Sequence, residues 1–319
     1  MIVRAIWILL TIATLGLVAA CLPTEAPLRI GTNVWPGYEP FYLARRLGHY
    51  RNQNIRMIEL PSATDVMNAI RLGQLEGAGL TLDEVITLSS EGLDLVVVMV
   101  CDISDGADVV MAHPEIKSLA DLKGKRIAAE TTAVGALMLD SVLAAANLSS
   151  TDVDIKYLPI PDHRGAYVDN EIDALVTFEP YSTKLADVGA QTIFDSSQIS
   201  GQIVDVLVFN RQLVNNQDKR IHTVINGYFK ARQLIVERNS NAFSVINQRL
   251  RLSPEELPKI YDKLILPTPE ENQRLLSGEH SYLSRTANDL IELMFRQHLI
   301  SRKPALSRFT TDQFISVTK

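Results

Sequence analysis

The chain has 319 residues, with 31 Lys plus Arg against 37 Asp plus Glu and a formal net charge of −6. The basic residues are scattered rather than massed, so nucleic acid is not an expected partner. At about 150 residues per domain, this length predicts two lobes rather than one core.

Arg4 gives a positive start, residues 6–18 an apolar run, and Val18-Ala19-Ala20 leads into Cys21. This reads as a signal peptide over 1–20, because the run is shorter than the roughly 20 residues a membrane-crossing helix needs. The segment resembles a bacterial lipobox with Val18 where Leu is usual. That resemblance implies lipidation of Cys21, a tether over 21–27, and a periplasmic lipoprotein anchored to the membrane. The alternative is an ordinary signal with a cysteine near its cut site. Cys101, the only other cysteine, is expected to form no disulfide; at the end of the run 96–100 it reads as a small buried hydrophobe.

Strands are predicted over 28–33, 55–60, 78–81 and 95–101, with helices over 40–48, 63–72 and 82–90 between them. A second set follows: strands 109–112, 126–129, 155–159, 172–178 and 192–194, and helices 119–122, 134–147 and 181–188. Such alternation implies mostly parallel sheets. A strand over 203–209 precedes a helical tail from 220, in which Ser253-Pro254-Glu255-Glu256 and Thr268-Pro269-Glu270-Glu271 mark helix starts. Leu290, Ile291, Met294 and His298 form an apolar stripe at helical spacing. The chain is expected to cross between lobes near 106–108 and 201–205, where Gly106 and Gly201 permit hinge dihedrals.

Three segments resemble the SsuA/THI5-like, or NMT1-like, binding proteins of ABC importers. They are Asn33-Val34-Trp35-Pro36-Gly37-Tyr38-Glu39-Pro40-Phe41, then Ile116-Lys117-Ser118-Leu119-Ala120-Asp121-Leu122-Lys123-Gly124-Lys125, and Asp173-Ala174-Leu175-Val176-Thr177-Phe178-Glu179-Pro180-Tyr181. The resemblance implies a type II periplasmic-binding-protein fold in the α/β class, with a mostly parallel sheet in each lobe, two hinge crossings and a helical tail. It divides the chain into one lobe over 28–106 and 204–319 and another over 107–203. It further implies a monomer that takes a small solute in the cleft and delivers it to a permease and its ATPase.

In open α/β lobes ligands meet the C-terminal ends of strands. Trp35 and Tyr38 follow the first strand and would present rings to the cleft, where a cation could lie against them; Trp35 could instead cap the lobe edge. Thr81 could contact ligand or merely close a capping box with Glu84. Thr131, Thr132, Val134 and Gly135, after Glu130, offer hydroxyls and backbone N–H groups at a helix start, suited to an anionic group or to plain capping. Asp102 and Glu179, with Tyr181 close behind, are the expected partners of a cationic group, because buried charge must be paired. Asp105 and Asp108 share the Asp102 turn, and bracing of a hinge explains at least two of these three aspartates equally well. Together these residues predict a ligand carrying an amine or amine-like heterocycle, zwitterionic or not, over a purely anionic one, since no Arg lies in these segments.

No metal or cofactor is expected: His49, His113, His163, His222, His280 and His298 lack ligand spacing, and no Gly-x-Ser-x-Gly or phosphate loop occurs. A pyrimidine-precursor synthase on the same fold would be expected to carry a cysteine-rich segment. A lipoprotein that reports its bound state to a membrane sensor kinase or cyclase would look the same in sequence as an importer component.

Overall fold

The computed structural model describes residues 26–130, 133–278, 281–306 and 309–316. In chain order it runs β1 (Leu28–Thr32), α1 (Glu39–Arg46), β2 (Ile55–Glu59), α2 (Ala63–Arg71), β3 (Gly77–Thr81), α3 (Leu82–Glu91) and β4 (Leu95–Ser104). Next come β5 (Asp108–Ala112), β6 (Arg126–Ala129), α4 (Ala133–Ala145), β7 (Asp154–Tyr157), α5 (His163–Val168), β8 (Ala174–Phe178), α6 (Tyr181–Ala186) and β9 (Gln191–Asp195). The chain finishes with β10 (Val204–Asn210), α7 (Arg211–Asn215), α8 (Lys219–Val236), α9 (Ser240–Leu250), α10 (Glu256–Tyr261), β11 (Leu264–Ile265), α11 (Pro269–Leu276) and α12 (Tyr282–Arg296).

Two open sheets result, in the orders β11-β4-β10-β3-β1-β2 and β7-β6-β8-β5-β9. Their parallel character is local. β1 pairs in parallel with β2 and β3, and β6 with β7 and β8. By contrast β10 is antiparallel to β3 and β4, and β5 to β8 and β9. The sheets are therefore mixed, not mostly parallel in their pairing. The cause is the crossing itself: β5 and β10 are the strands by which the chain enters each sheet from the other, so they start where their neighbours end.

Local chemistry sets several boundaries. Ser62 caps α2 by accepting from the Asp65 N–H at 3.1 Å, and Thr268 and Glu271 form the predicted capping box on α11. The helix expected from Ser253 begins only at Glu256. Pro258 has no N–H to donate and so is confined to a first turn, which rules out an earlier start. Leu290, Ile291 and Met294 are buried on α12, but His298 lies beyond its last turn at φ 59 and is exposed. Gly106 and Gly201 take φ of +108 and +81 at the two crossings. There the Ser196 hydroxyl pairs with Ser104 Oγ at 2.8 Å and accepts from the Gly106 N–H at 2.7 Å.

The tail covers the first sheet. Asn272 of α11 bonds both the N–H and the carbonyl of Val100, at 2.7 and 3.0 Å, and β11 pairs with the end of β4, so that this long apolar strand is not left as an open edge. Tyr228 of α8 shares its one hydroxyl proton between the carbonyls of Gly37 and Cys101, and Tyr261 of α10 donates to that of Pro36. The tail thus fixes the loop that follows β1. Among the described residues no helix is long and apolar enough to cross a membrane.

Candidate functional site

The ends of β1, β3 and β4 face the ends of β6 and β8, and a small cavity lies between them. Its lining comes from both sheets: Asn33, Trp35, Tyr38, Ala63, Thr81, Glu84 and Asp205 on one side, Asp108, Glu130, Val134 and Phe178 on the other. The space is about 30 Å³, room for one or two water-sized groups. A larger cavity of about 850 Å³ lies away from the strand ends, beside α7 and the last residues of the tail, and holds none of the expected site residues.

Trp35 is buried at 4% exposure, its indole N–H shared between the two oxygens of Asp102 at 3.2 Å. Its ring meets Phe178 of the second sheet edge to face at 5.7 Å. Gly37 is what lets this loop lie flat: a Cβ there would fall 1.7 Å from Asp102 Oδ2 and 2.6 Å from the indole nitrogen. Tyr38, also buried, donates its hydroxyl proton to Asp205 Oδ1. Asp205 sits mid-sheet, in register with Thr81 on one side and Asp102 on the other.

The electrostatics are one-sided. Asp83, Glu84, Asp102, Asp108, Glu130 and Asp205 are all at or below 5% exposure. Among the described residues none of the six has a Lys or Arg ion pair. Burial is the main cause of their raised pKa values, since leaving water penalises the charged form. It carries Asp83 to about 6, Asp108 to about 7 and Asp102 to about 8. Glu84 and Asp205 are pushed well above the carboxylate range, by burial first and then by the charges of Asp83 and Asp102 respectively. Glu130 is raised by burial against the hydrogen bond it accepts from Thr64 Oγ1 at 3.1 Å, a contact between the two sides.

Trp35, Tyr38, Thr81 and Val134, of the residues singled out in the sequence, line the cavity. Asp102 stands one layer back, under the Trp35 indole. Glu179 is turned away: its carboxylate takes Lys263 Nζ at 2.7 Å and Thr183 Oγ1 at 2.7 Å, which ties β8 to the segment before β11. Tyr181 supports the lining from behind, edge to face with Phe178 at 5.6 Å. Gly135 is the third residue of α4 and is not in the lining. Thr131 and Thr132 fall outside the described residues, as does Cys21. The sequence reading missed Asp205 and Phe178 as site residues and gave Glu84, Asp108 and Glu130 only structural or flanking parts. Asp205 had a signal: a lone carboxylate in the apolar strand Ile203-Val204-Asp205-Val206-Leu207 needs a reason to be buried.

Comparison with known proteins places this architecture. An Escherichia coli (strain K12) protein named for binding aliphatic sulfonates is 30% identical over 155 residues, 47% of this chain and 48% of that protein, so the match spans about half of the relative's length. The structure of the alkanesulfonate-binding protein SsuA from Xanthomonas axonopodis pv. citri bound to MOPS superposes with a TM-score of 0.76 at 18% identity, covering 91% of this chain and 99% of that one. The desulfurization enzyme DSZB superposes at 0.64 and 14% identity, covering 90% and 97%. The fold therefore hosts both binding proteins and an enzyme, and chemistry must be argued from the site. The NMT1-like family profile matches residues 22–248, and the chain belongs to that family.

Proposed function

We propose that the protein is a periplasmic solute-binding component of an ABC importer that captures a small organic cation where the two sheets face each other. The lobes would be 28–106 with 204–319 and 107–203, turning about Gly106 and Gly201, and the partners a permease and its ATPase. Anchoring through a lipid on Cys21 belongs to the same proposal, as does a monomeric state.

One observation carries the ligand class. Among the described residues the lining presents four carboxylates, from Glu84, Asp108, Glu130 and Asp205, and no Lys, Arg or His. Burying an uncompensated charge is costly, so such a set is held protonated or is neutralised by what it binds. A cation supplies that neutralisation. A sulfonate, the ligand class in the names of the relatives, would be opposed by whichever of these carboxyls is ionised. Binding is favoured over catalysis because Cys101, the one described cysteine, is fully buried with its thiol pKa pushed well up.

The test is a thermal-shift screen of the mature protein at pH 8 against primary amines, amino acids, aminopyrimidines and alkanesulfonates. Amines are expected to stabilise the protein, by about 2.7 kcal/mol at a hundred times Kd. Stabilisation by sulfonates alone would overturn the cation reading.

A further inference from the structure

We propose that the cationic group recognised in this cavity is a primary ammonium, one that donates hydrogen bonds, and that its fully methylated counterpart is rejected. The inference rests on the cation reading above and narrows it.

Acceptors without donors are the first ground. Asp108 Oδ2 is buried in the cavity wall without a hydrogen-bond partner, and the Thr81 hydroxyl, also in the wall, faces the Glu84 N–H in the α3 capping box without reaching hydrogen-bond geometry. Asp108 is 4% exposed, and its backbone N–H already goes to Ser104 Oγ at 3.2 Å, so the turn uses its amide and leaves Oδ2 over. A buried acceptor left unmade carries a full desolvation penalty, which N–H donors remove and methyl groups do not. Two acceptors reach the cavity from opposite sheets, Thr81 from the end of β3 and Asp108 from the start of β5. A group with three diverging N–H bonds has a donor to offer each.

Space and ring geometry agree. The space between the strand ends is about 30 Å³, and a primary ammonium is the smallest of the candidate heads. Recognition of quaternary ammonium depends on aromatic faces gathered around the methyl groups. Here Trp35 and Phe178 are spent edge to face on each other, at an interplanar angle of 80°.

Isothermal titration with size-matched pairs tests this: ethanolamine and choline, n-butylamine and butyltrimethylammonium, 4-aminobutyrate and its N-trimethyl form, with ethanesulfonate alongside. The primary member of each binding pair is expected to be at least tenfold tighter, about tenfold being the worth of one acceptor left unfilled. Thr81→Val keeps the shape and removes one acceptor; it should weaken the primary member about tenfold while leaving the methylated member unchanged, with circular dichroism confirming the fold. Methylated members binding as tightly as primary ones would overturn this inference and leave the cation reading standing. Failure of every amine, or heat from ethanesulfonate alone, would overturn both.

Discussion

Glu39, at the start of α1, and Asp205, on β10, are buried to 1% and 3% exposure, yet only Glu39 has a cation of its own. Arg249 of α9 stands 2.9 Å from Glu39, also pairs with Glu59, and lays its guanidinium 3.6 Å above the Tyr42 ring. Even so, burial lifts Glu39 to about 7, Arg249 offsetting only part of the desolvation. Asp205 has a tyrosine hydroxyl and further acids around it. A charge that serves the fold is matched from within the chain; the acids at the facing strand ends have no Lys or Arg partner among the described residues, which is the condition that the proposed cation site requires.

Removing the internal cation should give the largest effect. Arg249→Met would leave Glu39 buried and unpaired and is expected to destabilise the protein by about 3 kcal/mol in chemical denaturation at pH 8; a loss below about 0.5 kcal/mol would show that the two clusters are not different in kind.

Next is the response to pH. The raised values of Asp83, Asp102 and Asp108 mean that the folded chain holds protons which the unfolded chain has released. Stability from this source is complete below about pH 4 and is lost as pH rises through 6 to 8, at about 1.4 kcal/mol per pH unit for each carboxyl still protonated. The ligand-free Tm should fall between pH 5 and pH 9, and an ammonium ligand at saturation should flatten that fall. A flat ligand-free profile would contradict the account of the unmatched acids.

Gly37→Ala should cost about 1–3 kcal/mol, because a methyl group would overlap the Asp102 carboxylate and the Trp35 indole; the same change at Gly165, which has no neighbour within 4 Å and no positive φ, should cost nothing and so isolates the clash.

The smallest stability effect, and the sharpest in sign, is expected of Asp108→Asn. At pH 8 it should raise the stability of the ligand-free protein by about 1 kcal/mol while abolishing the thermal shift by amines, the reverse of what replacing a structural ion-pair partner does.

The first sheet's strands were legible because continuous apolar runs such as Leu95-Val96-Val97-Val98-Met99-Val100 are bounded by clear turns, and α11 because its capping box is local chemistry. α5, six residues from His163 to Val168, escaped because it is too short to show a helical period. At the site, Trp35 and Tyr38 were legible from an aromatic Pro-Gly turn after a strand. Glu179 invited a ligand role by standing at a strand end, but its carboxylate is taken up by Lys263, 84 residues away.

What the sequence alone determined was the type of most elements, the likeness to a two-lobed family and the presence of acids near strand ends, all of which follow from patterns within a few residues. Which acids share a cavity was decided only by tertiary structure. Asp108 and Asp205 come from the two crossings and Glu84 and Glu130 from different sheets; no local rule links them, and their raised pKa values arise from burial that exists only once the sheets face each other.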